Sequence, residues 1–221
     1  MIKLSKRLEK IASFIDKNDN VIDIGCDHAL LDIYLSTKYS KIYYASDLRE
    51  SALEMARSNI KKYNSNNVIL SCGNGLDVIK NEMNINTIVI SGMGYLTIIG
   101  ILKNIKNMKN INKLVIQSNS NSEIVRKYLI KNNFYVEKEA VVVDKKIYYI
   151  VSCFKRGNKK YNSMEKEIGL IEGDILCDYI DQEIKKNNVL LSVIPKNYFV
   201  KRFYVKRRIK LLDKKKNSMN K

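Results

Sequence analysis

The sequence has no tryptophan, one proline and one histidine among its 221 residues. Its four cysteines, Cys26, Cys72, Cys153 and Cys177, form no close pair, and His28 is the only histidine, so the ligand spacing of a zinc site is missing. No stretch reaches the roughly 20 uninterrupted apolar residues that cross a bilayer, and the amino terminus lacks a signal-peptide apolar region. We therefore expect no metal, no membrane association, reduced thiols and a cytoplasmic location.

The chain carries 40 basic and 23 acidic residues, for a net charge of +17, and 45% of its residues are hydrophobic. This length predicts one substantial core plus an appendage. The excess of positive charge favours a polyanionic partner. Enrichment in Lys, Asn and Ile is also typical of an AT-rich genome, so net charge alone does not identify a nucleic-acid partner.

Short apolar runs alternate with helical patterns along the first two thirds of the chain. Five runs predict parallel strands, at residues 21–25, 42–46, 68–71, 87–91 and 113–117, and helices are predicted at residues 51–62, 95–103 and 123–131. Leu4, Leu8, Ile11 and Ile15 predict an earlier helix with one buried face. Residues 136–143 and 147–154 then predict an antiparallel hairpin, which is typical of methyltransferases and not of dehydrogenases.

Two further apolar stripes follow residue 157. The first contains Met164, Ile168, Ile171, Ile175 and Tyr179, and the second contains Tyr198, Val205, Ile209 and Leu212, with Pro195 between them. We predict an α/β Rossmann-like catalytic domain over residues 1–157, with a seven-stranded, mostly parallel sheet closed by the hairpin. Residues 158–221 are predicted to form a basic helical hairpin, called the arm below.

Candidate ligand-binding residues stand where the predicted strands end. Asp23, Gly25 and Cys26 close the first strand, and Asp47 and Leu48 close the second. The second and third glycines of the dinucleotide fingerprint are absent, so the turn favours a nucleoside cofactor without a pyrophosphate group. An ordinary Asp-Gly turn is the alternative.

The next strand ends supply further candidates, because ligands bind beyond the carboxyl ends of parallel strands. Gly73, Asn74, Gly75 and Leu76 follow the third strand, where Asn74 is suited to bond an adenine edge, although a plain loop is an even alternative. Ser91, Gly92 and Met93 end the fourth strand, followed by Tyr95, which either stacks on a substrate base or packs in the core. Asn119 follows the fifth strand.

Four segments together resemble the bacterial tRNA (adenine-22-N1)-methyltransferase family: residues 4–8, 23–29, 73–76 and 91–94. The resemblance runs from Lys3 through the hairpin. It implies a class I enzyme that uses S-adenosylmethionine, a tRNA substrate and a coiled-coil-like arm. Asn74 stands where the family usually has Asp, Ser118 where it has Pro, and Tyr149 where it has Glu.

The implied reaction at adenine nitrogen-1 needs alignment more than a strong base, and its product is a cation. Asp27 is our first catalytic candidate, with His28, Asn119 and Tyr95 as secondary ones. Residues 196–221 hold a net charge of +10, which predicts phosphate contacts. The predicted RNA-binding residues are Lys6, Arg7, Lys201, Arg202, Lys206, Arg207, Arg208 and Lys210.

Three alternatives remain at this point. The chain could methylate another RNA base or a small molecule, or it could be a non-catalytic RNA-binding module with a vestigial cofactor pocket. The arm could instead serve dimerisation or bind another protein, since an apolar stripe supports those interpretations equally well. We expect a monomer or a weak homodimer.

Overall fold

Eight strands form one sheet in the computed structural model, which describes residues 2–219. The strands are β1 Val21–Ile24, β2 Tyr43–Asp47, β3 Val68–Cys72, β4 Thr87–Met93, β5 Lys113–Ser118, β6 Phe134–Asp144, β7 Ile147–Arg156 and β8 Ile171–Glu172. The helices are α1 Lys6–Ala12, α2 Leu30–Tyr39, α3 Glu50–Lys62, α4 Tyr95–Ile101, α5 Ser122–Lys131, α6 Ser163–Glu167, α7 Leu176–Val193 and α8 Phe199–Met219.

The strand order is β3-β2-β1-β4-β5-β7-β6-β8, and β7 alone among these strands runs antiparallel to its neighbours. The order reverses between β1 and β4, which is where doubly wound sheets bind their ligands. Strands β1 and β5 are buried along their whole length because helices cover both faces of the sheet. The predicted Rossmann-like architecture with its terminal hairpin is confirmed.

The number of strands was predicted wrongly, because β8 adds an eighth strand that pairs with β6. The first carboxy-terminal stripe is not one continuous helix: it divides into α6, β8 and α7. Gly169 and Gly173 interrupt it with φ angles of +98° and +131°. A Cβ atom on Gly169 would lie 2.3 Å from a carboxylate oxygen of Glu139, so this close approach requires glycine.

The arm packs on the sheet through its own apolar cluster. Tyr179 and Ile180 of α7 and Leu212 of α8 join Val141 and Ile150 of the hairpin. Because β8 lies beyond residue 157 and still extends the sheet, the proposed domain boundary stays a prediction. Within residues 2–219, no helix is long and apolar enough to cross a membrane.

Candidate active site

A cavity of about 980 Å³ opens at the carboxyl edge of the sheet, beside the reversal in strand order. Strand ends β1, β2 and β4 and the tip of the β6–β7 hairpin supply its walls. The predicted site residues that line it are Asp23, Gly25, Cys26, Asp27, His28, Asp47, Ser91, Gly92, Met93 and Asn119. The cavity is therefore assembled mostly from positions that the strand ends had indicated.

Two buried carboxylates, Asp23 and Asp47, face this cavity. The backbone N–H groups of Arg49 and Asp27 donate to the two oxygens of Asp47, at 2.9 and 3.4 Å. Oxygen Oδ1 of Asp23, in contrast, is buried and has no hydrogen-bond partner among the described residues. Burial and the nearby charge of Asp47 raise the pKa of Asp23 to about 7, against the opposing charge of Arg7. A cationic or hydrogen-bond-donating ligand group would satisfy this carboxylate.

Gly25 leaves room for a neighbouring side chain at the edge of this cavity. Its φ angle is +79°, and a Cβ atom there would lie 1.9 Å from the terminal methyl group of Met93. The Met93 side chain therefore fills the notch that a larger residue at position 25 would occupy. Burial raises the pKa of the adjacent Cys26 thiol, which keeps it neutral.

Arg7 of α1 extends into the cavity. Its Nη1 donates to Oε1 of Gln117 at 2.8 Å, and its guanidinium lies 5.4 Å from the ring centre of Tyr149. The same Gln117 oxygen accepts from Gly92 N–H, while Gln117 Nε2 donates to Asn119 Oδ1. Arg7 was predicted to bind RNA phosphates. In the structure this network holds its guanidinium in the cavity at the strand ends.

Asp27 and His28 lie at the rim of the cavity. Asp27 has a left-handed backbone with φ of +50°, and its side chain is 59% exposed. His28 Nε2 is 3.4 Å from Asp27 Oδ2, and Arg49 Nη2 is 3.8 Å from Asp27 Oδ1. Because all three side chains are exposed, the Asp27 carboxylate is accessible from the cavity.

Several predicted site residues do not line the cavity. Leu48 is 67% exposed, and Tyr95 is partly buried against the main core, which favours its packing alternative. The turn after β3 is held beside β2 by a bond from Gly73 N–H to the Asp47 carbonyl. Three more residues of that turn lie outside the cavity lining: Asn74, Gly75 and Leu76.

The hairpin tip was missed as part of the site. Asp144, Lys145, Ile147 and Tyr149 line the cavity, and Asp144 Oδ2 accepts from the Arg7 backbone N–H at 3.3 Å. Since β6 runs parallel to β5, its carboxyl end lies at the same sheet edge. The direction of β6, which follows from the predicted hairpin, was the sequence signal that could have located these residues.

A second cavity, of about 480 Å³, lies between the end of β5 and the arm. Ser118, Ser120 and Asn121 form one side, and Tyr179 and Tyr204 contribute from the arm. Asn119 lines both cavities, and its amide nitrogen donates to the Gly92 carbonyl at 2.7 Å. The two cavities therefore share one polar residue as a common wall.

Besides Arg7, two more of the predicted RNA-binding arginines have internal partners. Arg208, whose side chain is 19% exposed, lies within 4 Å of carboxylates of Glu123, Glu167 and Glu183, so it fastens α8 to α5, α6 and α7. Arg202 donates to two carbonyl groups at the end of α7, at 2.9 and 2.6 Å. The remaining candidates are exposed: Lys6, Lys201, Lys206, Arg207 and Lys210.

Comparison with known proteins identifies the family of this chain. Residues 4–151 match the family described as a methyltransferase domain. A Mycoplasma genitalium protein provisionally named a tRNA methyltransferase is 32% identical over 198 residues, covering 86% of this chain and 87% of the relative. The tRNA (adenine(22)-N(1))-methyltransferase of Bacillus subtilis is 29% identical over 197 residues, covering 86% of this chain and 79% of that enzyme.

A solved structure agrees over almost the whole chain. M. capricolum TrmK, in complex with S-adenosylhomocysteine, has a TM-score of 0.84 and 29% identity, covering 97% of this chain and 98% of that one. With the same fold along nearly its full length, and with relatives that cover most of the chain, this chain belongs to the bacterial tRNA (adenine-22-N1)-methyltransferase family.

Proposed function

We propose that this chain transfers a methyl group from S-adenosylmethionine to nitrogen-1 of an adenine in tRNA, and that adenine 22 is the target. The observation that carries the proposal is the cavity at the strand ends in which a buried Asp23 oxygen has no partner among residues 2–219. When bound, the cofactor supplies a methyl group on a positively charged sulfur. Asp23 suits its amino group, Asp47 its ribose hydroxyls and Arg7 its carboxylate.

The protein's own contribution is orientation and charge. The target nitrogen is engaged when the base is paired, so the site must receive an unpaired or flipped adenine. Asn119 lies at the wall between the two cavities, where its amide suits the base edge. The nitrogen lone pair forms the new bond to the methyl carbon as the carbon–sulfur bond breaks, and positive charge moves onto the base. The accessible Asp27 carboxylate would stabilise that charge.

The direct test is methylation of an unmodified tRNA transcript with labelled cofactor, followed by mapping of the modified base. We expect label at nitrogen-1 of adenine 22 and none in a transcript with guanine at that position. Label at adenine nitrogen-6 or on guanine would overturn the target assignment. In single-turnover assays, Asp27→Ala should slow transfer while cofactor binding is retained; an unchanged rate would remove Asp27 from this role.

The vestigial-pocket alternative predicts no cofactor binding. Calorimetric titration with S-adenosylmethionine distinguishes this alternative from the proposed enzyme. Binding should weaken in the Asp23→Asn variant. RNA contacts by Lys6, Lys201, Lys206, Arg207 and Lys210 belong to this proposal, supported by their exposure. A cytoplasmic location and a monomer or weak homodimer remain predictions from the sequence.

A further inference from the structure

The region where α7 turns into α8 exposes large apolar side chains. Of the 17 large hydrophobic residues that are exposed in the described chain, eight fall between residues 189 and 204. Four of them are aromatic, and they are defined here as the arm tip: Tyr198, Phe199, Phe203 and Tyr204, between 57% and 76% exposed. Monomeric proteins expose such contiguous apolar surface mainly where something binds.

These aromatic residues do not hold the arm together. On α8 the buried residues are Val205 and Leu212, so the aromatic rings lie outside its packed face. Phe199 and Phe203 are four residues apart and share one helix face. Phe203 and Tyr204 meet edge to face, with ring centres 5.9 Å apart. The rings therefore present their surfaces outward as a group.

The charge around the arm tip has one sign. From residue 184 to residue 212 the chain has nine Lys or Arg residues and no Asp or Glu. Lys196, Lys201, Lys206, Arg207 and Lys210 are exposed and form no ion pair among residues 2–219. A second copy of this surface would bring like charges together, which disfavours self-association through it.

We propose that the arm tip stacks on unpaired bases of the tRNA substrate while the surrounding lysines contact its phosphates. Exposed aromatic rings between unpaired cations are the arrangement that binds single-stranded nucleic acid, because every base has a face on which a ring can stack. The identity of the partner rests on the proposed function. Apart from Tyr204, which borders the second cavity, the arm tip lies outside both cavities of the candidate active site.

The absence of tryptophan provides a sharp test. Phe199→Trp would place the only indole of the chain on the arm tip, and Tyr63→Trp would place one beside Lys62 on α3 as the matched control. We expect tRNA and single-stranded RNA to quench the indole fluorescence of the Phe199→Trp variant, with little effect from a blunt RNA duplex. Equal quenching by the duplex, or equal quenching in the control, would overturn stacking.

Two other outcomes would assign the surface elsewhere and overturn the proposal. One is a fluorescence shift that grows with protein concentration in the absence of RNA, which indicates a second copy. The other is a shift with phosphatidylglycerol vesicles but none with tRNA, which indicates a lipid surface. If the Phe199→Trp variant methylates tRNA but tRNA does not quench its indole fluorescence, only the stacking proposal is refuted. If tRNA quenches the fluorescence but is not methylated, only the proposed function is refuted.

Affinity measurements separate stacking from charge. Phe199→Ala with Phe203→Ala should weaken tRNA binding about 10-fold or more at fixed salt, and should leave the slope of log K against log salt unchanged. Lys201→Gln with Lys206→Gln should instead lower that slope by about 1 for each lysine–phosphate interaction that the substitution removes. Unchanged affinity in the aromatic variant, with cofactor binding intact, would contradict the proposal.

Discussion

Asp32 of α2 is fully buried, and neither of its carboxylate oxygens has a hydrogen-bond partner within residues 2–219. Burial, with the nearby charge of Asp23 as the second cause, holds the pKa of Asp32 well above 3.8. The folded protein therefore keeps this carboxyl neutral at pH values where the unfolded chain ionises it. Replacing it with leucine should stabilise the fold at neutral pH.

The sign follows from proton binding. Above about pH 4 the native state holds a proton on Asp32 that the unfolded state releases, so the free energy of unfolding falls as pH rises. The slope for one such group is about 1.4 kcal/mol per pH unit. Leucine removes this loss but adds volume, and overpacking costs about 1–3 kcal/mol. We expect the stability of Asp32→Leu relative to the parent to rise by about 1.4 kcal/mol for each pH unit above about 4 over which the native carboxyl stays protonated. The cost of overpacking is the same at every pH, so it shifts this difference without changing its slope.

Urea unfolding at several pH values between about 4 and 7 would measure the difference between variant and parent, in which the contributions of unrelated carboxylates cancel. Asp32→Asn is the matched control: it should flatten the pH dependence equally while stabilising less, because its amide remains buried without partners. A difference between Asp32→Leu and the parent that does not change with pH would show that the carboxylate is ionised in the native state, and would refute the reasoning.

Three further substitutions test other contacts. Gly169→Ala should destabilise the fold by about 3 kcal/mol or more, because its Cβ would collide with Glu139; an unchanged urea midpoint would contradict the close approach. Arg208→Met should cost about 1–3 kcal/mol because Glu123 loses its ion-pair partner, while Glu167 and Glu183 keep Lys127 and Lys186; a midpoint equal to the parent's would show that Glu123 finds another partner. Arg7→Met should weaken S-adenosylmethionine binding about 10-fold in calorimetry and spare tRNA affinity, whereas the reverse pattern would return Arg7 to the RNA surface.

The strand ends were predictable because apolar runs mark parallel strands, and all such strands finish at one edge. The sequence therefore predicts that Asp23, Asp47 and Met93 lie at one sheet edge, where they line the cavity. Helix α2 was missed because Leu31, Ile33 and Leu35 are all buried, so its pattern lacks a simple apolar stripe facing a polar one. The first stripe of the arm predicts one helix, but the chain departs from it at Gly169, which packs closely against Glu139. These two residues are about 30 positions apart, and local periodicity contains no information about such a distant contact.

The internal partners of the predicted RNA-binding arginines have a similar explanation. Composition and position suggest phosphate binding for any exposed arginine, but Arg7 meets Gln117 across 110 positions and Arg208 meets Glu123 on another helix. Such pairings arise only when distant segments fold together. The aromatic residues of the arm are the opposite case, because they are apolar and yet exposed. Phe199 and Phe203 have helical spacing but lie outside the packed face.

The shared wall formed by Asn119 has a thermodynamic consequence. Asn119 borders both the cavity at the strand ends and the second cavity. A ligand in one cavity that reorients the Asn119 amide therefore alters the surface that a ligand in the other cavity meets. Linkage requires the effect to be reciprocal: whatever factor RNA applies to cofactor affinity, the cofactor applies to RNA affinity. Order of addition would then alter the path to the ternary complex but not its stability.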